Sequence, residues 1–341
     1  MSKISWFFIF SLLLTNSCEK DEPIKKDDPI KDYSPEVHFD ITSRLLEGIK
    51  IDCIETDSRG NIWIASDKEL YYKNGSEEKT YTLDFSILGL AIASDESLWI
   101  GTNGGGLGHL TQKGITWYTK ANSGLPRDYI RNVEIGLDGR IWFSSCAYNL
   151  GGLVVYDDRK FETFTPENSS MNQNVVYDIE IDQDGNVYII TSGKVGRTNI
   201  YRITDKSWDC LGNENGTFYW VSVFSVGPKG SIYLLEDFSL SSSSLNSNAL
   251  FEYSDNKWQK IETDFMSGVS PSTSIKVDKR DYCWLAGFKG NLPVLHVFNG
   301  ELWEESPEGT FPDDYITTIE TDSDNNIWIG TAHNGIFILN Q

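Results

Sequence analysis

Apolar and polar positions alternate along most of this chain, and seven times the alternation takes one form. A short apolar run meets a turn of Asp, Asn and Gly, then a three-residue apolar step centred on Trp or Tyr. The centres are Trp63, Trp99, Trp142, Tyr188, Tyr233, Trp284 and Trp328, at separations of 36, 43, 46, 45, 51 and 44 residues. That interval accommodates about four short strands with their turns. The pattern predicts a repeat array.

Ile54 to Ile64, Val133 to Phe143 and Ile319 to Ile329 are the clearest copies. Ile179 to Ile189 and Ile275 to Leu285 follow them closely, and Ile92 to Ile100 and Val223 to Leu234 more loosely. Each reads as a strand, a tight turn whose Gly or Asn can take positive φ, and a second strand apolar on both sides. Ile62 and Ile64 point one way and Trp63 the other, so protein must cover both faces of that strand.

A third and a fourth strand follow each second one, as in Gly152 to Tyr156, the turn Asp157-Asp158-Arg159, and Lys160 to Phe164. Four antiparallel strands per copy make a propeller blade, and the chain is predicted to be an all-β, seven-bladed β-propeller. A solenoid or sandwich fits worse, because no stretch after the N-terminus has helical periodicity. The last copy holds only three strands, ending at Gly335 to Leu339. Glu36 to Ile41 precedes the first copy and is expected to supply the fourth, removing an exposed edge.

Three stretches resemble a known family: Asn326-Ile327-Trp328-Ile329-Gly330-Thr331 with Asn334-Gly335-Ile336, Leu98 to Thr102 with Gly104 to Leu107, and Asn122-Ser123-Gly124-Leu125-Pro126. They look like the two-component regulator propeller repeat. The resemblance covers roughly residues 36–341 and implies a seven-bladed propeller. In that family, pairs of such propellers form extracytoplasmic sensors of regulators that respond to glycans. No segment of this sequence reads as the connector, membrane span, kinase or DNA-binding module of those regulators.

The N-terminus sets the expected compartment. Lys3, then the apolar run Trp6 to Leu14, then Thr15-Asn16-Ser17-Cys18 resembles a lipoprotein signal peptide over residues 1–17 with lipidation at Cys18; the run is too short to span a bilayer. Residues 18–35 are rich in Lys, Asp and Glu and form a solvated tether, leaving 36–341 as the propeller. An outer-membrane, surface-facing anchor is expected, with a periplasm-facing one as the alternative. The lipid is then the sole link to the membrane.

The net charge is −21, and loss of residues 1–17 removes one cation, Lys3, and no acid. Such a field repels phosphate backbones, which argues against nucleic acid, and it disfavours polyanionic glycans. A neutral glycan or a protein is the expected partner. No cofactor is expected, and no Cys or His spacing reads as zinc. Cys53, Cys146, Cys210 and Cys283 are expected as buried free thiols, with Cys146 and Cys210 the one pair on adjacent blades. Carboxylates at Asp182 to Asn186 and Asp322 to Asn326 have the alternate spacing of calcium loops, but hairpin turns need the same residues.

Loops joining fourth to first and second to third strands are long here, whereas those on the opposite face are tight turns. Binding groups are therefore expected on the long-loop face. The candidates are Arg127, Tyr129, Arg131, Tyr148, Arg197, Phe288, Phe311, Tyr315 and His333, since aromatic rings with Arg suit sugar stacking or a protein anchor. No catalytic residue is assigned. A propeller lyase or hydrolase remains the alternative function, in which His333 is the one His near the mouth.

Cys18→Ala is expected to release the protein from the membrane fraction, because no other segment is apolar enough to hold it. Labelling with a fatty acid checks this. An unlabelled wild type contradicts it.

Overall fold

The computed structural model describes residues 37–147, 150–192, 197–212, 218–219, 221–236, 249–263, 274–290, 292–312 and 315–341. The expected signal peptide over 1–17 and tether over 18–35 lie outside them, and no helix among the described residues is long and apolar enough to cross a membrane.

Strand β1 (Ile41–Leu45) comes first in sequence and belongs to the last blade. Blade 1 is β2 (Cys53–Thr56), β3 (Ile62–Ser66), β4 (Glu69–Asn74) and β5 (Glu77–Thr82). Blade 2 is β6 (Ile87–Ile92), β7 (Leu98–Thr102), β8 (Leu107–Thr111) and β9 (Gly114–Tyr118), followed by a single helical turn α1 (Lys120–Ser123). Blade 3 is β10 (Ile130–Ile135), β11 (Ile141–Ala147), β12 (Leu150–Tyr156) and β13 (Phe161–Phe164). Blade 4 is β14 (Val176–Ile181), β15 (Val187–Ser192), β16 (Arg197–Ile203) and β17 (Trp208–Cys210), with a short β18 (Phe218–Tyr219) also on β16. Blade 5 is β19 (Val221–Val226), β20 (Ile232–Glu236), β21 (Ala249–Ser254) and β22 (Lys257–Ile261). Blade 6 is β23 (Ile275–Val277), β24 (Cys283–Lys289), β25 (Leu292–Phe298) and β26 (Trp303–Glu305). Blade 7 is β27 (Ile316–Thr321), β28 (Ile327–Thr331) and β29 (Ile336–Leu339), completed by β1.

The innermost strands β2, β6, β10, β14, β19, β23 and β27 touch in that order, and β27 returns to β2. The ring is closed. Between each pair of neighbouring blades lies one apolar cluster, as between blades 1 and 2, where Trp63, Ala65, Leu90, Leu98 and Ile100 pack together. The repeated Trp and Tyr are thus wedges, and the sequence pattern of both-sided burial is met by neighbouring sheets.

The turn before each wedge is built for it. A residue with positive φ stands at one position in all seven turns: Gly60, Glu96, Gly139, Gly185, Gly230, Asp281 and Asn325. In blades 4 and 7 the turn Asp accepts two backbone N–H bonds through Oδ1, at Asp182 from Asp184 and Asn186 and at Asp322 from Asp324 and Asn326. Its Oδ2 accepts from the wedge, Tyr188 Oη at 3.0 Å and Trp328 Nε1 at 2.9 Å. Hairpin and wedge therefore account for Asp182 and Asp322, the first carboxylate in each of the two turns.

Closure runs through the N-terminus, as expected, but the strand is displaced. It is Ile41–Leu45 and not Glu36–Ile41; Ile41 pairs with Leu339 and Leu45 with Ile336, while Val37 and Phe39 pack into the cluster between blades 6 and 7. Gln341 clasps the approach: its Nε2 donates to the His38 carbonyl at 2.7 Å and its Oε1 accepts from the His38 amide at 3.2 Å. The four cysteines are free, and Cys210 is exposed, which corrects the expectation that all are buried.

Trp328→Ala removes a wedge that is 6% exposed, together with its bond to Asp322. A loss of about 3–5 kcal/mol is expected in denaturant unfolding. Deleting residues 37–46 should also lower the melting temperature, and an unchanged value contradicts closure by β1.

Candidate functional site

The innermost strands carry a repeated irregularity at their long-loop ends. Register shifts fall between Ile87 and Gly89, Ile130 and Val133, Val176 and Asp178, Val221 and Val223, and Ile316 and Thr318. A bulge re-aims the side chain it carries. Here it brings Arg131, Tyr177 and Thr317 to corresponding places around the channel mouth. Ser144 Oγ accepts from the Arg131 amide at 3.3 Å, and Thr317 Oγ1 donates to the Ile51 carbonyl at 2.5 Å, fixing two of the bulges to neighbouring strands.

Around this mouth stand several residues expected from the sequence. Tyr315 is 57% exposed and meets Phe288 edge to face at 5.0 Å. Arg131 is exposed and lies 5.8 Å over the Tyr177 ring, which is 37% exposed. Tyr129 is half-buried, its backbone bridging to Asn103. Arg127 is half-buried and exchanges backbone bonds with Ser145 Oγ. His333 is exposed on the turn between β28 and β29. Arg197 stands at the first position of β16, and Tyr148 lies outside the described residues. Phe311 is not on the face: it is 3% exposed and packs edge to face on Phe337, because the loop it sits on folds inward over blade 7. Tyr177 escaped the sequence reading, since strand alternation alone gives no sign of the bulge that turns it outward.

Below the mouth the channel is lined by charge. Residues opposite the wedges on the innermost strands share one register, Glu55 opposite Trp63, Glu134 opposite Trp142, Glu180 opposite Tyr188, Lys276 opposite Trp284 and Glu320 opposite Trp328. All five are half-buried. Lys276 Nζ pairs with Glu320 at 2.9 Å. Burial, then the Glu320 charge, pushes Glu55 up to about 8. Burial raises Glu180 to about 7 despite Lys276, and burial with the Glu180 charge holds Glu134 well above the usual carboxylate range. Burial opposes the charge on Lys276, but Glu320 and Glu180 keep it firmly protonated. One step nearer the mouth, Asp178 is lifted by burial to about 6 and accepts from Asn132 Nδ2 at 2.6 Å.

Burial thus favours the protonated form at Glu55, Glu134 and Glu180. Among the described residues no group of three His, Cys, Asp or Glu side chains is arranged to hold a metal ion. His296 is 2% exposed on β25 and His109 stacks on Trp99 at 4.0 Å, so both belong to the packing.

Residues 310–333, which contain the last wedge, match the family model described as Two component regulator propeller. The match covers the first two strands of blade 7. No curated protein matches the chain by sequence. Among solved structures, the extracellular domain of the putative one component system BT4673 from B. thetaiotaomicron is 17% identical, with a TM-score of 0.64 over 88% of this chain and 40% of that one. The chain thus spans about two fifths of that regulator domain's length. YCF48 bound to D1 peptide is 14% identical, with a TM-score of 0.64 over 91% of this chain and 96% of that one. The streptogramin B lyase structure is 15% identical, with a TM-score of 0.63 over 89% and 97%. A regulator domain, a peptide complex and a lyase are all similar to this propeller, so the fold does not select among these roles.

The proton-holding ring makes stability depend on pH with a definite sign. Glu55 is raised in the folded state, from an ordinary 4.5 to about 8, so its contribution is full below pH 4.5 and is lost as pH rises through about 8. Glu55→Gln should match the wild type in denaturant unfolding at pH 5. At pH 9 it should be more stable, on the order of 2 kcal/mol after allowance for channel water. Equal stability at pH 9 contradicts the reading.

Proposed function

We propose that this propeller is a binding module displayed at the cell surface through a lipid on Cys18, and that its long-loop mouth receives a glycan or a protein of a glycan-uptake or sensing system. The exposed pairs Tyr315 with Phe288 and Tyr177 with Arg131 carry this reading. Exposed aromatic rings are costly to leave in water, and rings beside a guanidinium favour a partner that stacks and accepts hydrogen bonds. Arg131, Tyr129, Tyr315 and His333 supply the polar and aromatic contacts in that proposal, with Arg127 and Phe288 beneath them. The extracellular regulator domain and the peptide complex among the neighbours support surface display and binding respectively.

A lyase or hydrolase is the second reading. Glu180 at about 7 has the proton affinity of a general base, and a lyase shares the ring. The binding reading is preferred because the ring carboxylates lie below the mouth, away from the exposed aromatic residues.

Tyr315→Ala and Arg131→Ala should each weaken capture of the mouth ligand by about 30-fold, the effect of losing an anchor worth about 2 kcal/mol, with melting temperature unchanged. Screening the mature protein in parallel against a glycan array and by crosslinking on intact cells identifies the ligand class. Turnover of an array glycan, abolished by Glu180→Gln or His333→Ala, overturns the choice in favour of an enzyme.

A further inference from the structure

A cavity of about 490 Å³ opens between blades 1 and 2 on the short-turn side, away from the mouth. Its walls come from β3, β4 and β5 on one side and from two turns of blade 2 on the other. Trp63, Tyr72 and Tyr81 form its aromatic side, with Tyr72 4.7 Å and Tyr81 6.0 Å from the Trp63 ring. Ser97, Thr111 and Gln112 face them from blade 2.

Two of the Trp wedges give their indole N–H to the turn Asp, and Trp63 is not one of them. Trp284 Nε1 donates to Asp278 at 3.0 Å and Trp328 Nε1 to Asp322 at 2.9 Å. The equivalent Asp57 accepts through Oδ2 from Arg59 Nε at 2.8 Å and from Asn61 Nδ2 at 2.9 Å, and not from Trp63. Asn61 Oδ1 in turn accepts from Tyr72 Oη and Asn74 Nδ2. Trp63 is 6% exposed, lines the cavity, and finds no acceptor for its indole N–H among the described residues. This N–H is not among the buried atoms left without a partner, so it can donate to an acceptor that enters the cavity.

Three of the five charged residues along the walls are ion-paired, and Asp95 and Lys113 have no ion pair among the described residues. Lys79 pairs with Glu77 at 2.6 Å, Glu96 with Arg59 at 3.6 Å, and Asp95 accepts from Ser97 Oγ at 2.6 Å. The Lys79 ammonium lies 5.5 Å over Tyr72 and covers that ring, which leaves Tyr81 as the half-buried face beside Trp63. The volume falls within the range of about 300–1,000 Å³ for small-molecule sites.

We propose that this groove is a second binding site, specific for a neutral oligosaccharide whose hydroxyl oxygen accepts from Trp63 Nε1 while a sugar face lies on Tyr81. An aromatic wall opposite hydroxyl and amide groups fits sugar rings. Wall charges of both signs favour neither a polycation nor a polyanion. The site stands independently of the mouth, since no residue is shared.

Calorimetric titration of the full chain with hexamers of β-1,4-glucan, β-1,3-glucan, α-1,4-glucan and α-1,6-mannan, and with pentalysine, tests the assignment. At least one neutral hexamer should bind. Trp63→Phe, which keeps the ring and removes the N–H, should weaken it about three- to tenfold, and Tyr81→Ala about tenfold. Tyr315→Ala at the mouth should leave it unchanged. Trp328→Phe controls for stability: it should lower the melting temperature through loss of the Asp322 bond and leave the titration unchanged. Binding that is lost in Tyr315→Ala but intact in Trp63→Phe and Tyr81→Ala overturns the groove and keeps the mouth. Absence of any bound hexamer, or pentalysine binding in their place, also overturns it.

Discussion

Everything in this molecule depends on the requirement that each blade bury both of its faces. Ile62, Ile64 and Trp63 on a single strand cannot all be covered by one sheet, and the same holds at six other places in the chain. Neighbouring blades must therefore meet, and the series is satisfied only when the last blade meets the first. The cluster joining Ile51, Ile54 and Ile64 to Trp328 and Ile336 is that meeting. It would be exposed in an open array, where a sheet edge would also be unpaired. β1 pairs the outer side of blade 7, and Gln341 and Thr42 tie the two chain ends together.

A closed ring fixes the geometry of what it surrounds. Because every innermost strand enters the channel in the same register, a Glu opposite the wedge in four blades gives a level of carboxylates with one Lys among them. Enclosure makes full ionisation unfavourable there, and the level carries protons that exposed carboxylates would have lost. The bulges above it turn Arg131, Tyr177 and Thr317 toward the long-loop side. Rigid walls with varied rims suit a module whose ligand is chosen by a few side chains.

The fold was legible because the wedge motif is dense in information: a turn Asp, a residue able to take positive φ, and an aromatic residue flanked by apolar ones. The closing strand was placed about five residues early, since Val37, Phe39 and Ile41 alternate more clearly than Ile41–Leu45; those residues instead pack beneath it. Exposure on the long-loop side was legible in part: Tyr315 and Arg131 are exposed, as loop length suggests, but Phe311 is buried, and nothing in alternation marks a bulge at Tyr177. The carboxylate level was visible as Ile-Glu or Val-Glu at one repeat offset, at Glu55, Glu134, Glu180 and Glu320, yet its importance appears only when the ring brings the copies together. The groove at Trp63 brings β3, β4 and β5 against two turns of blade 2, a meeting that sequence spacing alone does not show.

Native-state hydrogen exchange followed by mass spectrometry tests the closed ring most directly. If β1 completes blade 7, amides of residues 41–45 should be protected to the same opening free energy as those of β28 and β29, and should be lost with them in one cooperative step. Rapid exchange at 41–45 while 327–339 stays protected would mean that the N-terminal segment only rests on the propeller, and that the ring is held shut by other means.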